Sequence, residues 1–387
     1  MFIDLIAGAR PNFMKIAPII DAIKKEKEQG TDIDFRLVHT GQHYDKNMSG
    51  SFFAQLGIPA PDENLGAGGG TQAEQTAAIM TGYEKILMEN PSNLCLVVGD
   101  VTSTMACAIT AQKMHIPVAH VEAGIRSGDW KMPEEINRLA TDAVTNYFFT
   151  TSDIANDNLK KSGVEDERIF YVGNTMIDTL LKHRPRFRKP PVWDEVGLKE
   201  GNYIVMTLHR PSNVDEERIF KELLYEILTS SQGLPIIFPV HPRTAKIIHK
   251  VLKDITATNS QQLKAKSQKP KAKIQQPKAN NLHLIEPLGY LEFNYLVERS
   301  KAVITDSGGI TEETTVMGIP CMTLRNSTER PETVDIGTNE LLGVNPEAIQ
   351  PALEKLFAGA WKKGGIPELW DGKTSDRIVS HLVELLN

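Results

Sequence analysis

Short, nearly uninterrupted apolar runs alternate with segments of helical period along most of the chain. No other feature limits the possible folds as strongly. Phe2–Ala7 is the first run, and Ile16, Ile19, Ile20 and Ile23 then recur at i, i+3, i+4 and i+7. Pro18 falls inside that helical pattern, so it is expected in the helix's first turn or at a kink. Further strand candidates lie at 35–40, 94–99, 117–122, 147–151 and 169–172. Strands apolar on both faces need cover on both, so the pattern predicts a parallel sheet with helices on each side.

The pattern restarts after residue 190, with runs at 203–208, 235–240, Leu282–Ile285, Ala302–Thr305 and 320–324. The chain has 387 residues. That length suits two domains of about 150–200 residues each. The expected class is α/β, with two doubly wound domains: 1–185 and 186–370, divided within 183–200 where HRPRFRKPP mixes prolines and charges. Ligands of such sheets collect beyond the C-terminal strand ends, which places the expected site in a cleft between the two domains.

Lys plus Arg number 43 against 49 Asp plus Glu, a net charge of −6, which disfavours a role on nucleic acid. No window approaches ~18 consecutive apolar residues, so no membrane-spanning helix is expected. Cys95, Cys107 and Cys321 lie far apart without a Cys-x-x-Cys, which argues against a disulfide scaffold and a thiolate metal site. The first residues, MFIDLIAGARPN, read as a buried strand rather than a signal peptide, and a reduced cytoplasmic setting is the default expectation. Residues 255–281 carry six lysines and no acid; they read as a solvated insertion, with a basic patch for an acidic partner as the sharper alternative.

Polar residues gather where strands end. Gly8-Ala9-Arg10-Pro11-Asn12, followed by Lys15, joins a helix N-terminus to a guanidinium fork, a combination suited to phosphate. Asp100 leaves a strand and is either an ordinary N-cap or a functional acid. Glu122 ends another strand, and Glu134 and Glu135 open a helix, so several carboxylates converge on one sheet edge. Left unpaired they would repel, and crowding can raise a pKa enough for general acid–base work. His209 and His241 follow strands in the second half and can bind or protonate a phosphate. Asp306-Ser307-Gly308-Gly309 reads as a phosphate cradle, with Glu313 placed to accept ribose hydroxyls and Arg325 to neutralise a diphosphate.

There is no P-loop and no intact G-x-G-x-x-G, so nucleoside triphosphate and nicotinamide chemistry lack support and no cofactor is expected. Asp32-Ile33-Asp34 fits a loose metal motif but opens a strand, and His39 and His43 lack a third ligand. No metal is expected.

The pieces GARPNFMKIAP, HTGQHYD, GDVTST, HVEAGIRS, MPEEINR, VGNTMID, LHRPSN, PVHPR, TDSGGITEE and RNSTERPE occur in that order. Together they resemble the non-hydrolysing UDP-N-acetylglucosamine 2-epimerases. The resemblance implies two Rossmann-like domains similar to the GT-B glycosyltransferases, with a final helix, 371–387, crossing back to the first domain. It implies catalytic positions at Asp100, Glu122, Glu134 and His209. It implies UDP contacts at Arg10, Lys15, Phe293, Ser307, Gly308, Gly309, Glu313 and Arg325, and further candidates at Arg138, Gln42, His43, Arg210 and His241. Relatives often have Thr and Glu where this chain has Ala9 and Asn12.

The implied reaction interconverts UDP-N-acetylglucosamine and UDP-N-acetylmannosamine by expelling and re-adding UDP through a 2-acetamidoglucal, for polysaccharide synthesis. Such a protein is expected to be a homodimer with a UDP-sugar as its partner molecule. The competing readings are a hydrolysing epimerase, a glycosyltransferase of the same architecture and a non-catalytic nucleotide-sugar binding module.

Overall fold

A computed structural model describes residues 1–41, 55–240, 244–245, 247–253 and 281–386. The chain divides into two compact units, one of 1–185 with 367–387 and one of 186–366.

The first unit holds a seven-stranded parallel sheet: β1 Phe2–Ala7, β2 Asp34–His39, β3 Glu63–Asn64, β4 Leu94–Val98, β5 Val118–Val121, β6 Tyr147–Thr150 and β7 Ile169–Tyr171. Its order is β3-β2-β1-β4-β5-β6-β7. The chain therefore reverses direction across the sheet between β1 and β4, the switch point where loops splay apart and leave a crevice. Helices α1 Arg10–Glu28, α2 Gln72–Glu89, α3 Thr102–Lys113, α4 Pro133–Ala143, α5 Asp153–Lys161 and α6 Thr175–His183 connect the strands. Ile6, Val38, Val97 and Val118 of the sheet bury against Ile79, Tyr83 and Leu87 of α2.

Pro18 occupies neither the first turn nor an end of α1; it sits in the helix interior. Proline has no N–H to offer the carbonyl four residues back. That carbonyl, of Met14, instead accepts from the buried Thr179 hydroxyl on α6. The helix thus tolerates Pro18 because a distant side chain replaces the missing donor. Thr179→Val keeps the shape and orphans the carbonyl. It should lower stability by about 1–3 kcal/mol, read as a lower urea midpoint.

The terminal helix Thr374–Leu386 belongs to this unit and packs on α1 and α6. Asp178 of α6 fixes its start, accepting from the Thr374 N–H (3.1 Å), the Ser375 N–H (2.7 Å) and the Ser375 hydroxyl (2.7 Å). These are helix N-terminal donors that would otherwise lack partners.

The second unit holds a six-stranded parallel sheet: β8 Ile204–Thr207, β9 Ile236–Pro239, β10 Leu282–Ile285, β11 Ala302–Thr305, β12 Cys321–Thr323 and β13 Asn339–Leu341. Its order is β10-β9-β8-β11-β12-β13, which places a switch point between β8 and β11. Ile204 and Met206 face one core cluster with Phe220, Leu224 and Ile227 of helix α7 (Glu217–Ser230). Tyr203 and Val205 face the other, with Leu296 and Val297 of α8 (Tyr290–Glu298). Consecutive strand residues point to opposite faces, so cover on both faces is why the run reads as continuously apolar. Helices α9 Gly308–Met317 and α10 Ile349–Phe357 also belong to the unit.

Candidate active site

In the first unit, polar groups collect at the β1/β4 switch point. Gly99 follows β4 with φ +72°, a left-handed conformation that a side chain would oppose. The turn it makes is gripped from α1: Asn12 Nδ2 donates to the Val98 carbonyl (2.9 Å), while its Oδ1 accepts from the Ala9 N–H (2.9 Å) and Gly8 N–H (3.3 Å). Asn12 is therefore the peg of this loop.

Asp100 follows Gly99. It is not an N-cap, since Val101 holds that position and α3 begins at Thr102. Its Oδ2 accepts from Arg138 Nη2 at 2.5 Å, and its carbonyl accepts from Asn137 Nδ2 at 2.9 Å. Its side chain is 32 % exposed while Arg138 is only 4 % exposed, so the acid is open to a ligand and the base behind it is not. Arg138 also donates to Glu135 Oε2 at 2.8 Å. Glu135 accepts as well from the Ser127 N–H (2.9 Å), the Ser127 hydroxyl (3.0 Å) and the Gly128 N–H (3.1 Å). Burial pushes the Glu135 carboxyl up, but these donors outweigh it and hold it below the ordinary range.

Glu122, just past β5, has φ +68°, rare for a non-glycine residue. Residues held in such conformations cluster at functional sites. Its Oε2 accepts from Lys15 Nζ at 2.6 Å, with side-chain exposures of 3 % and 15 %. A Cβ on Gly99 would stand 3.4 Å from Lys15 Nζ and 3.8 Å from Glu122 Oε2, so this pair lies directly beside the turn that presents Asp100.

The carboxylates are therefore not left to repel one another. Asp100 and Glu135 share Arg138, and Glu122 holds Lys15. Lys15, which the resemblance places among the UDP contacts, is held by a carboxylate of its own unit. Glu134 lies half-buried in the first turn of α4 and has no ion-pair partner among the described residues.

The second unit gathers its polar groups at the β8/β11 switch point. His209 follows β8, and its Nδ1 stands 2.9 Å from Asp306 Oδ1. Asp306 is wholly buried, and its Oδ2 accepts from the His209 N–H (2.9 Å), the Arg210 N–H (2.8 Å) and Asn213 Nδ2 (3.0 Å). Burial pushes its carboxyl up, but His209 and these donors hold it below the ordinary range. Nδ1 of the ring is thus turned toward Asp306, a contact that spacing alone does not reveal.

One residue on, Ser307 is the N-cap of α9 and Gly308 opens it. Arg325 is 5 % exposed; Nη2 donates to Glu329 at 2.7 Å, while Nη1 has no partner among the described residues. Nη1 would lie 3.5 Å from a Cβ on Gly308. A buried guanidinium N–H aimed at a helix N-terminus makes an anion cradle. Arg210 joins it, 3.8 Å from Glu329. Deeper along α9, Glu313 accepts from the Tyr290 hydroxyl at 2.9 Å and Asn294 Nδ2 at 3.4 Å. Phe293 packs beside Leu288 and Ile310 on the adjoining core.

Burial pushes the Glu313 carboxyl up to about 7, against the lowering by Tyr290 and Asn294. The folded value lies above the unfolded one, so the native state binds the extra proton. Its contribution to stability is complete below about 4.5 and is lost as pH rises through about 7. Glu313→Gln removes that titration. Its thermal midpoint should decline less than the wild type's across this window, and equal declines would show that Glu313 is not the titrating group.

Gln42, His43, His241 and the side chain of Arg10 lie outside the described residues, as does most of the lysine-rich segment. His39 is a core residue, stacked on Phe13 with ring centroids 5.3 Å apart and accepting from the Gly41 N–H at 2.9 Å. Asp34 pairs with Lys27 at 2.5 Å. Among the described residues no group of three or more His, Cys, Asp or Glu could hold a metal ion, and no helix is long and apolar enough to cross a membrane.

A family model described as UDP-N-acetylglucosamine 2-epimerase matches residues 25–383. The chain is 39 % identical over 388 residues to the UDP-N-acetylglucosamine 2-epimerase of Methanocaldococcus jannaschii, covering 98 % of each. It is 36 % identical over 391 residues to the UDP-2,3-diacetamido-2,3-dideoxy-D-glucuronate 2-epimerase of Pseudomonas aeruginosa, covering all of both. A crystal structure of the Methanocaldococcus jannaschii UDP-GlcNAc 2-epimerase with UDP-GlcNAc and UDP superposes with a TM-score of 0.81 at 38 % identity, covering 99 % of this chain and 100 % of that one. Motif order, sheet topology and full-length similarity agree: the chain belongs to the UDP-N-acetylglucosamine 2-epimerase family.

Proposed function

We propose that the protein is a non-hydrolysing isomerase that interconverts UDP-N-acetylglucosamine and UDP-N-acetylmannosamine. The observation that carries this is the pairing at the β1/β4 switch point. An exposed carboxylate, Asp100, is backed by Arg138, and a second, Glu122, stands beside the same turn on Lys15. A module that merely bound an anionic nucleotide would gain nothing from acids there.

In this reading the second unit holds UDP. The Ser307-Gly308-Gly309 helix start and Arg325 take the diphosphate, Glu313 the ribose and Phe293 the base side. His209, oriented by Asp306, serves the diphosphate as it leaves. One carboxylate of Asp100, Glu122 and Glu134 removes the proton on sugar carbon 2. The C–H electron pair becomes the carbon 1–carbon 2 double bond, and the carbon 1–oxygen bond breaks with its pair going to UDP. In the return, a proton reaches the opposite face and UDP adds back to carbon 1. Nothing is oxidised overall.

Each positioned acid or base contributes about 10²–10⁴-fold. Retaining UDP beside the glycal supplies a proximity gain of up to about 7–11 kcal/mol. A homodimer in a reducing cytoplasm, feeding surface polysaccharide, is the setting we propose.

Incubation with UDP-N-acetylglucosamine in heavy water tests the reading. Intact nucleotide sugar carrying deuterium at carbon 2 supports it. Free N-acetylmannosamine with UDP would mean hydrolysis, and unlabelled sugar passed to an acceptor would mean glycosyl transfer. The same incubation with UDP-2,3-diacetamido-2,3-dideoxy-D-glucuronate decides which 2-acetamido sugar is turned over, since the Pseudomonas aeruginosa relative bears that sugar in its name.

A further inference from the structure

His120 lies in β5, two residues before Glu122, and is completely buried. Both of its ring nitrogens are engaged. Nε2 is 2.8 Å from the Gly99 carbonyl, and Nδ1 is 2.7 Å from Asp142 Oδ1 on α4. A carbonyl can only accept, so Nε2 donates. Asp142 also accepts from the Gly124 N–H at 3.2 Å and pairs with Arg126 at 2.7 Å. Burial pushes its carboxyl up, but His120 and Arg126 outweigh that and hold it below the ordinary range.

We infer that His120 is a clamp, a positioning residue that ties the Gly99–Asp100 turn to α4 and thereby sets Asp100 for proton transfer. This rests on the epimerase reading for its catalytic consequence, though not for its chemistry. The groups around the ring form a closed set. Asp142 and Arg126 lie on one side, and the Gly99 turn lies on the other with Lys15, Glu122, Asp100 and Arg138 around it. Without the ring, Gly99 would lose its side-chain anchor from β5, and the acid one residue on would lose its fixed placement. Misplacing a catalytic group by about 1 Å costs on the order of 10²-fold.

The test has two arms. Long-range proton–nitrogen spectra of wild type labelled at histidine should show one solvent-shielded ring whose Nε2 carries a proton, assigned by its loss in His120→Gln. A buried ring with a bare Nε2 overturns the clamp. In the heavy-water assay, His120→Gln should lower kcat about 10- to 100-fold with KM and UDP affinity unchanged, because no UDP contact is touched. An unchanged kcat, or a loss confined to KM, overturns it. If His120→Gln does not fold, Asp142→Asn supplies the assignment and the wild-type spectra decide alone. Were wild type itself to exchange no deuterium, the epimerase reading would fall while the spectra still reported on the clamp.

Discussion

Asp100→Asn should reduce deuterium incorporation at sugar carbon 2 by about 10²- to 10⁴-fold, the range lost with a positioned acid or base. UDP affinity should stay within about twofold, since the change removes no group of the anion cradle and alters no charge built into it. The substitution is close to isosteric. An asparagine oxygen can still accept from Arg138, and the backbone carbonyl still accepts from Asn137. Glu135 continues to hold Arg138 from its other side. What disappears is a proton-accepting oxygen on a side chain that is 32 % exposed. The same change at Glu122 would be harder to interpret. Its carboxylate is 3 % exposed and neutralises Lys15, so removing its charge leaves a nearly buried ammonium uncompensated, a loss of about 3–5 kcal/mol in stability. Isothermal titration with UDP alongside the exchange assay checks the prediction. If UDP binding collapses while residual exchange scales with occupancy, Asp100 belongs to nucleotide binding rather than to proton transfer.

The apolar runs made the two sheets legible, because a strand buried on both faces has little room for polar residues. The edge strands β3 (Glu63–Asn64) and β13 (Asn339–Leu341) escaped that signal, being two and three residues long and polar in part. Boundaries shifted by a residue where backbone conformation rather than hydropathy ended a strand. Gly99 and Glu122 read as strand residues but turn left-handed just beyond β4 and β5.

Site residues at strand ends were visible as polar residues out of place, and their partners were not. Lys15 meets Glu122 across 107 positions, His209 lies against Asp306 across 97, and Asp100 meets Arg138 across 38. Strand order decides these pairings. Because β1 neighbours β4 and β4 neighbours β5, a lysine one turn into α1 reaches an acid after β5. The residues around Lys15 in the sequence do not reveal that partner. Pro18 shows the same limit, since the Thr179 hydroxyl that makes it tolerable comes from α6.

Arg325→Ala should weaken UDP binding by about 2–5 kcal/mol, the range for truncating one partner of a buried charged hydrogen bond. That corresponds to roughly 30- to 3,000-fold in Kd. The side chain is 5 % exposed and already tethered through Nη2 to Glu329. Ordering it therefore costs little when the anion arrives, and Nη1 needs only an acceptor in front of Gly308. The alanine variant also takes from Glu329, beside the cradle, the guanidinium it pairs with at 2.7 Å, leaving the looser contact with Arg210 at 3.8 Å. A carboxylate so placed repels a diphosphate, which puts the expectation toward the upper end of that range. Arg325→Lys separates the two contributions. It restores a positive charge but not the fork, so it should recover part of the affinity by easing the repulsion and none of the second directed hydrogen bond. If the alanine variant bound UDP as tightly as wild type, the diphosphate would have to sit elsewhere than at the start of α9, and the division of labour between the two sheets would need redrawing.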